Sequence, residues 1–151
     1  MEESRVFYGE YSHSIDKKGR IIIPSKFRDI IQEMCIEKMY ITRGLDECLF
    51  MFSESEWKAQ ESKFKSLSFT KREARKFNRF FFSGAVEAVL DKQWRVLLPD
   101  YLRNYAKLSR QIVIVGVSNR IEIWDKGKWE EFYKSSKQNY EEIAERLMDL
   151  E

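Results

Sequence analysis

Histidine is nearly missing from this chain of 151 residues, which has only His13, together with two cysteines, two prolines and six glycines. One imidazole, with no Cys, His or carboxylate cluster at ligand spacing around it, provides neither a metal site nor a histidine-centred acid–base pair. Cys35 and Cys48 show neither CxxC spacing nor the density of a secreted disulfide scaffold, so two buried free thiols are expected. GxSxG, a P-loop and HExxH are all absent, and with them go the nucleophile elbow, the phosphate-cradling loop and the zinc helix. No catalysis, cofactor, metal or small-molecule substrate is therefore expected. Long apolar runs are also missing. The longest, such as CLFMF, are strand-sized, and the opening MEESRVFYGEY has no basic leader followed by an apolar stretch. The expectation is a soluble, cytoplasmic protein without a membrane partner.

Net charge is small too. Lys and Arg number 27 against 25 Asp and Glu, leaving +2, but the charges are unevenly placed. Between Lys63 and Arg79 stand seven basic side chains and one acid, Glu73, whereas Glu141 to Glu151 holds five acids and the single base Arg146. The field is polarised along the chain. With 43% hydrophobic residues there is apolar surface for a real core, and the length is short for two independent domains.

What the chain does have is an internal repeat. Asp16 to Pro24 reads DKKGRIIIP and Asp91 to Pro99 reads DKQWRVLLP, an offset of 75. Gly44, Phe52 and Trp57 recur as Gly116, Trp124 and Trp129, an offset of 72, so the second copy is three residues shorter between its proline and its glycine. Each copy predicts the same succession. Asp16 to Arg20 is a polar turn between the roughly alternating FYGEYSHSI and the β-branched RIII, the pattern of two strands joined at a hairpin. Gly19 suits such a turn because a positive φ is open to glycine at no steric cost. After Pro24 a helix follows, with Ser25 able to cap it and Phe27, Ile30, Ile31 and Met34 at helical spacing. PDYLRNYAKL repeats this, with Leu102, Tyr105 and Leu108 facing inward.

Two more strands follow in each copy, KMYITRG and CLFMF, then QIVIVGV and RIEIW, joined by GLDE and GVSN. Ser53 and Asp125 are matched N-cap residues, and Phe52 with Trp57, or Trp124 with Trp129, can form a hydrophobic staple across each cap. Between the copies, FTKREARKFNRFFFSG predicts a basic amphipathic helix with a Thr70–Glu73 capping box, an apolar stripe of Ala74, Phe77, Phe80 and Phe81, and a stop at Gly84. From Lys128 to Leu150 the apolar residues are too many for a solitary surface helix, so the body of the fold or another subunit must cover them. The expected organisation is a first half over 7–67, a basic connecting helix over 68–78, a second half over 79–133 and an acidic amphipathic helix end over 134–151.

GEYSHSIDKKGRIIIPSKFR, KFNRFFFSGAVEAVLDKQ, RVLLP and GVSNRIEIWDKGKW together resemble the MraZ family, over almost the whole chain from about Phe7 to Trp129. The resemblance implies a mainly β fold with flanking helices (α+β), in which tandem swapped-hairpin AbrB-like halves form a double-split β-barrel pseudo-dimer. It also implies a transcriptional regulator that assembles into a homo-oligomeric ring, associates with the nucleoid and binds promoter repeats in double-stranded DNA upstream of the bacterial cell division and cell wall operon. The family's DNA-contacting feature is the DxxxR turn. Carried onto this chain, it points to Asp16 through Arg20 and Asp91 through Arg95, with Arg20 and Arg95 reading bases or phosphates.

The chemistry of these residues agrees with that role. A guanidinium fork fits guanine O6/N7 and phosphate oxygens alike. Lys17, Lys18 and Lys92 are the expected phosphate clamps. An acid repels phosphate, so Asp16 and Asp91 are read as turn formers that orient the arginines. Where the family has glycine before the second arginine, this chain has Trp94. A bulky residue at positive φ costs about 1–2 kcal/mol, so the second turn is expected to take another geometry. Trp94 then packs at a subunit seam or meets the DNA surface. The basic connecting helix offers a solvated face, a flanking phosphate contact or a partner for another subunit's acidic tail. The alternative function is an oligomeric scaffold that binds protein partners without reading DNA.

Overall fold

The structure, a computed structural model, describes residues 6–149; Leu150 and Glu151 of the C-terminal segment and residues 1–5 of the opening stretch lie outside the described residues. The first half contains β1 (Phe7–Ser14), β2 (Arg20–Ile22), α1 (Ser25–Glu33), β3 (Met39–Arg43), β4 (Leu49–Ser53) and α2 (Glu54–Lys65). After α3 (Arg72–Ser83), the same order returns as β5 (Val86–Ala88), β6 (Arg95–Leu97), α4 (Asp100–Tyr105), β7 (Gln111–Ser118), β8 (Ile121–Asp125) and α5 (Lys126–Asp149). The fold is α+β, an antiparallel β core with flanking helices. None of the described helices is long and apolar enough to cross a membrane.

The strands on either side of each polar turn do not pair with each other. They exchange partners between the halves: β1 pairs with β7, and β5 pairs with β3. β2 pairs with β6, placing Arg20 opposite Leu97, Ile21 opposite Val96 and Ile22 opposite Arg95. β4 pairs with β8, placing Leu49 opposite Ile123 and Met51 opposite Ile121. Both registers are symmetric under exchange of the repeats, so a pseudo-twofold axis passes near Ile21–Val96 and Phe50–Glu122. Hydrogen bonding yields an open six-stranded sheet, β1-β7-β8-β4-β3-β5, and a separate two-stranded ribbon, β2-β6.

The core is shared. Ile21, Ile23 and Phe27 from the first half and their repeat partners Val96, Leu98 and Leu102 are fully buried in one cluster, so neither half encloses a core without the other. Helix starts follow the prediction in part. Ser53 Oγ accepts from Glu56 N at 3.3 Å, and Asp125 Oδ2 accepts from Gly127 N at 3.1 Å. Both staples form, with ring centroids 5.9 Å apart for Phe52–Trp57 and 5.4 Å for Trp124–Trp129.

Other local expectations are corrected. Ser25 does not cap α1; it is the first helical residue, and Asp100 stands likewise in α4, because Pro24 and Pro99 take the cap positions and their carbonyls accept from Phe27 N and Arg28 N, and from Leu102 N and Arg103 N. The Thr70–Glu73 capping box does not form: Thr70 Oγ1 bonds to Ser68 Oγ at 2.7 Å and Lys71 takes the cap position of α3. Cys48 is a buried free thiol but Cys35, also free, is exposed at the end of α1. In α5, Trp129 and Phe132 pack on Trp124, whereas Tyr140, Leu147 and Met148 stay 61–72% exposed.

Candidate nucleic-acid interface

Each DxxxR segment folds on its aspartate. Asp16 Oδ1 accepts from Lys18 N and Arg20 N, both at 2.9 Å, and Oδ2 accepts from Arg20 Nε at 2.7 Å. Asp91 Oδ1 accepts from Gln93 N at 2.9 Å and Arg95 N at 2.8 Å, and Oδ2 from Arg95 Nε at 2.8 Å. The bond from the following arginine's backbone N–H, reinforced by that arginine's guanidinium, holds each carboxyl below the ordinary aspartate value. Arginine Nε is thereby engaged, and the two terminal nitrogens of each guanidinium carry the donors left over.

The second turn does not adopt another geometry. Trp94 takes φ +61° where Gly19 takes φ +84°, and Trp94 N donates to Asp91 O at 3.0 Å as Gly19 N does to Asp16 O. Trp94 is half-buried against the main core of its own chain, and that packing offsets the left-handed backbone. A Cβ at Gly19 would stand 2.9 Å from the Arg103 guanidinium carbon, the far end of a flexible side chain that can shift, so the positive φ is what favours glycine there.

The ribbon holds the turns in register. Leu98 N donates to Gly19 O and Ile23 N to Trp94 O, both at 2.9 Å, so each turn is pinned by the strand of the opposite half. Arg28 Nε donates to Ile23 O at 2.7 Å and its repeat partner Arg103 Nε to Leu98 O at 3.0 Å, fastening the helices below. With Ile21 and Val96 pointing into the core, strand alternation puts Arg20, Ile22, Arg95 and Leu97 together on the outer face. The two arginines occupy diagonal corners, with Cα atoms roughly 8–9 Å apart from strand rise and spacing. Their side chains are equally accessible, 26% for Arg20 and 27% for Arg95.

Asp16, Lys17 and Lys18 are exposed on the first tip, and Asp91, Lys92 and Gln93 on the second. The three lysines have no carboxylate partner among the described residues. Sequence reasoning missed Ile22 and Leu97, which are 41% and 59% exposed between the arginines. Their outward direction was hidden in the unbroken apolar runs RIII and RVLL. It also missed the supporting pair Arg28 and Arg103, which only the repeat alignment could have flagged. The basic residues of α2 and α3 are on neither turn. His13 lies apart as well, its pKa lowered by burial and by the Arg28 charge, and no group of three or more potential metal ligands occurs among the described residues.

The family model for the MraZ protein, described as antitoxin-like, matches the chain twice in tandem, over residues 6–80 and 81–151.

Proposed function

The chain belongs to the MraZ family, and from that premise we propose that it is a sequence-specific regulator of transcription that binds double-stranded DNA through its two DxxxR turns. Arg20 and Arg95 read base edges or phosphates, Lys17, Lys18 and Lys92 clamp the backbone, and Asp16, Gly19, Asp91 and Trp94 shape the turns. Its site is the promoter repeats of the cell division and cell wall operon, in the cytoplasm at the nucleoid. It acts without catalysis, metal, cofactor or membrane. The exchange of strand partners between the halves, β1 with β7, β5 with β3 and β2 with β6, supports a double-split barrel of an intramolecular pseudo-dimer, with the halves at 7–67 and 79–133.

One observation carries this reading: two turns of the same geometry lead into antiparallel strands that put Arg20 and Arg95 on one outer face of a two-stranded ribbon. A major groove about 12 Å wide admits such a ribbon. The spacing of the arginines fits within it, and Ile22 and Leu97 between them suit the thymine methyl.

Assembly into a ring is supported by α5. Trp129, Tyr133, Ser136, Tyr140, Ile143 and Leu147 alternate spacings of four and three, the seam of a helix packed on another helix. Its distal part is exposed in the isolated chain. A ring presenting many ribbons engages several repeats at once and gains avidity.

The test is electrophoretic titration of the region upstream of the protein's own gene, at two salt concentrations, with light scattering to follow assembly. Replacing Arg20 and Arg95 by alanine should abolish binding and leave assembly intact. DNA with one repeat should bind far more weakly than DNA with three or four. Undiminished binding by the double variant would favour the scaffold reading instead.

A further inference from the structure

The two turns match in geometry but not in the charges around them. Across the repeat, Lys18 corresponds to Gln93, Ser109 to Glu37 and Arg110 to Lys38. In the strands leading to the turns, His13 lies opposite Ile112 whereas Glu87 lies opposite Tyr40, the residue that corresponds to Ile112. Lys38 Nζ is 3.7 Å from Glu87 Oε1, so its charge is already paired. Arg110 is exposed and has no carboxylate partner among the described residues.

Arg110 also stands beside the first turn. Its carbonyl accepts from Ile15 N at 2.8 Å, and it borders an open depression with Asp16, Lys17 and Arg103. The Asp16 charge is balanced by the Arg20 guanidinium, whose Nε donates to Asp16 Oδ2 at 2.7 Å. Arg103 is paired with Asp100, and Asp125, the other carboxylate beside the depression, is held by Ser109 N and Oγ and by the start of α5, which leaves Lys17 and Arg110 as the cations with no carboxylate in bonding distance.

We propose that Lys17 and Arg110 form a phosphate-binding site flanking the first turn, with no working counterpart in the second half, so that duplex DNA is held more tightly by the first half. The inference rests on the DNA-binding reading of the turns. A phosphate bridged by two cations beside the first turn anchors the backbone there, while at the corresponding place beside the second the Lys38–Glu87 pair leaves no free cation and Glu37 adds an exposed acid. The pseudo-twofold protein therefore lies on DNA with a preferred direction.

The test uses the full chain and a duplex selected from a randomised pool by the wild-type protein. Arg110→Ala should weaken binding roughly tenfold, the weight of one charge-assisted hydrogen bond, and should make the slope of log affinity against log salt shallower by about 0.9. Arg110→Lys should keep most of both. Lys38→Ala should change neither, and Glu87→Gln, which frees Lys38, should tighten binding. Phosphate ethylation interference should lose one position in Arg110→Ala. Equal losses in Arg110→Ala and Lys38→Ala, or none in either, would overturn the proposal. Selection of no duplex by the wild-type protein would overturn the reading beneath it as well, and that failure shows before any variant is made.

Discussion

Replacing Trp94 by glycine separates backbone strain from packing at the second turn. Trp94 holds φ +61°, and glycine would relieve about 1–2 kcal/mol of left-handed cost. It would return about 0.4–1 kcal/mol of that through the freer unfolded chain. The indole, however, packs against the main core. Taking about 150 Å² of aromatic burial at about 25 cal/mol per Å², reduced by about a third for residual burial in the unfolded chain, gives about 2.5 kcal/mol lost. The net is a destabilisation of about 1–2.5 kcal/mol, or about 3–8 °C in Tm for a chain of this size. Urea and thermal unfolding would measure it. Trp94→Asn, which tolerates the left-handed region better than tryptophan, is the companion variant and should also destabilise. A rise in Tm on Trp94→Gly would refute the reasoning, since strain would then outweigh the packing said to offset it.

Thr42 is fully buried and its hydroxyl donates to the Phe81 carbonyl, tying α3 to the sheet; Thr42→Val should cost about 1–3 kcal/mol in urea unfolding, and a neutral result would remove that tie from the account. The Asp16 and Asp91 carboxyls lie below their unfolded values, so the stability they give the turns is complete above about pH 3.9 and is lost as pH falls through the folded values. Side-chain carbon NMR should show both midpoints below 3.9, and a midpoint above it would contradict the turn geometry. His13 is disfavoured as the cation by burial, so stability should fall as pH drops below about 6.5, and His13→Gln should flatten that part of the profile. Leu147, 61% exposed on α5, should when changed to Glu reduce assembly in light scattering without unfolding the monomer; unchanged assembly would exclude this helix from the seam.

Much of this was legible in the sequence because the chain states it twice. The matched Ser53 and Asp125 caps and their aromatic staples are local features, decided within five or six residues, and local patterns are what a sequence displays. The partner exchange of β1 and β5 is not local. FYGEYSHSI and RIII read as a hairpin because nothing nearby reveals that β7 and β6 offer better-matched partners across the pseudo-twofold. The Thr70–Glu73 box failed because Ser68 competes for the Thr70 hydroxyl, a choice between two short-range bonds that spacing cannot rank. Trp94 misled for a different reason: its backbone cost is visible from the residue type, while the burial that offsets it depends on the fold.

The central claim is that both turns meet one duplex across the outer face of the ribbon. Methyl NMR of the intact assembly during titration with promoter DNA tests it most directly. Ile22 and Leu97 methyls should shift together, while Ile21 and Leu98, fully buried one residue away, should move little. Shifts confined to α3 or α5, or seen at only one of the two outer-face residues, would contradict the account.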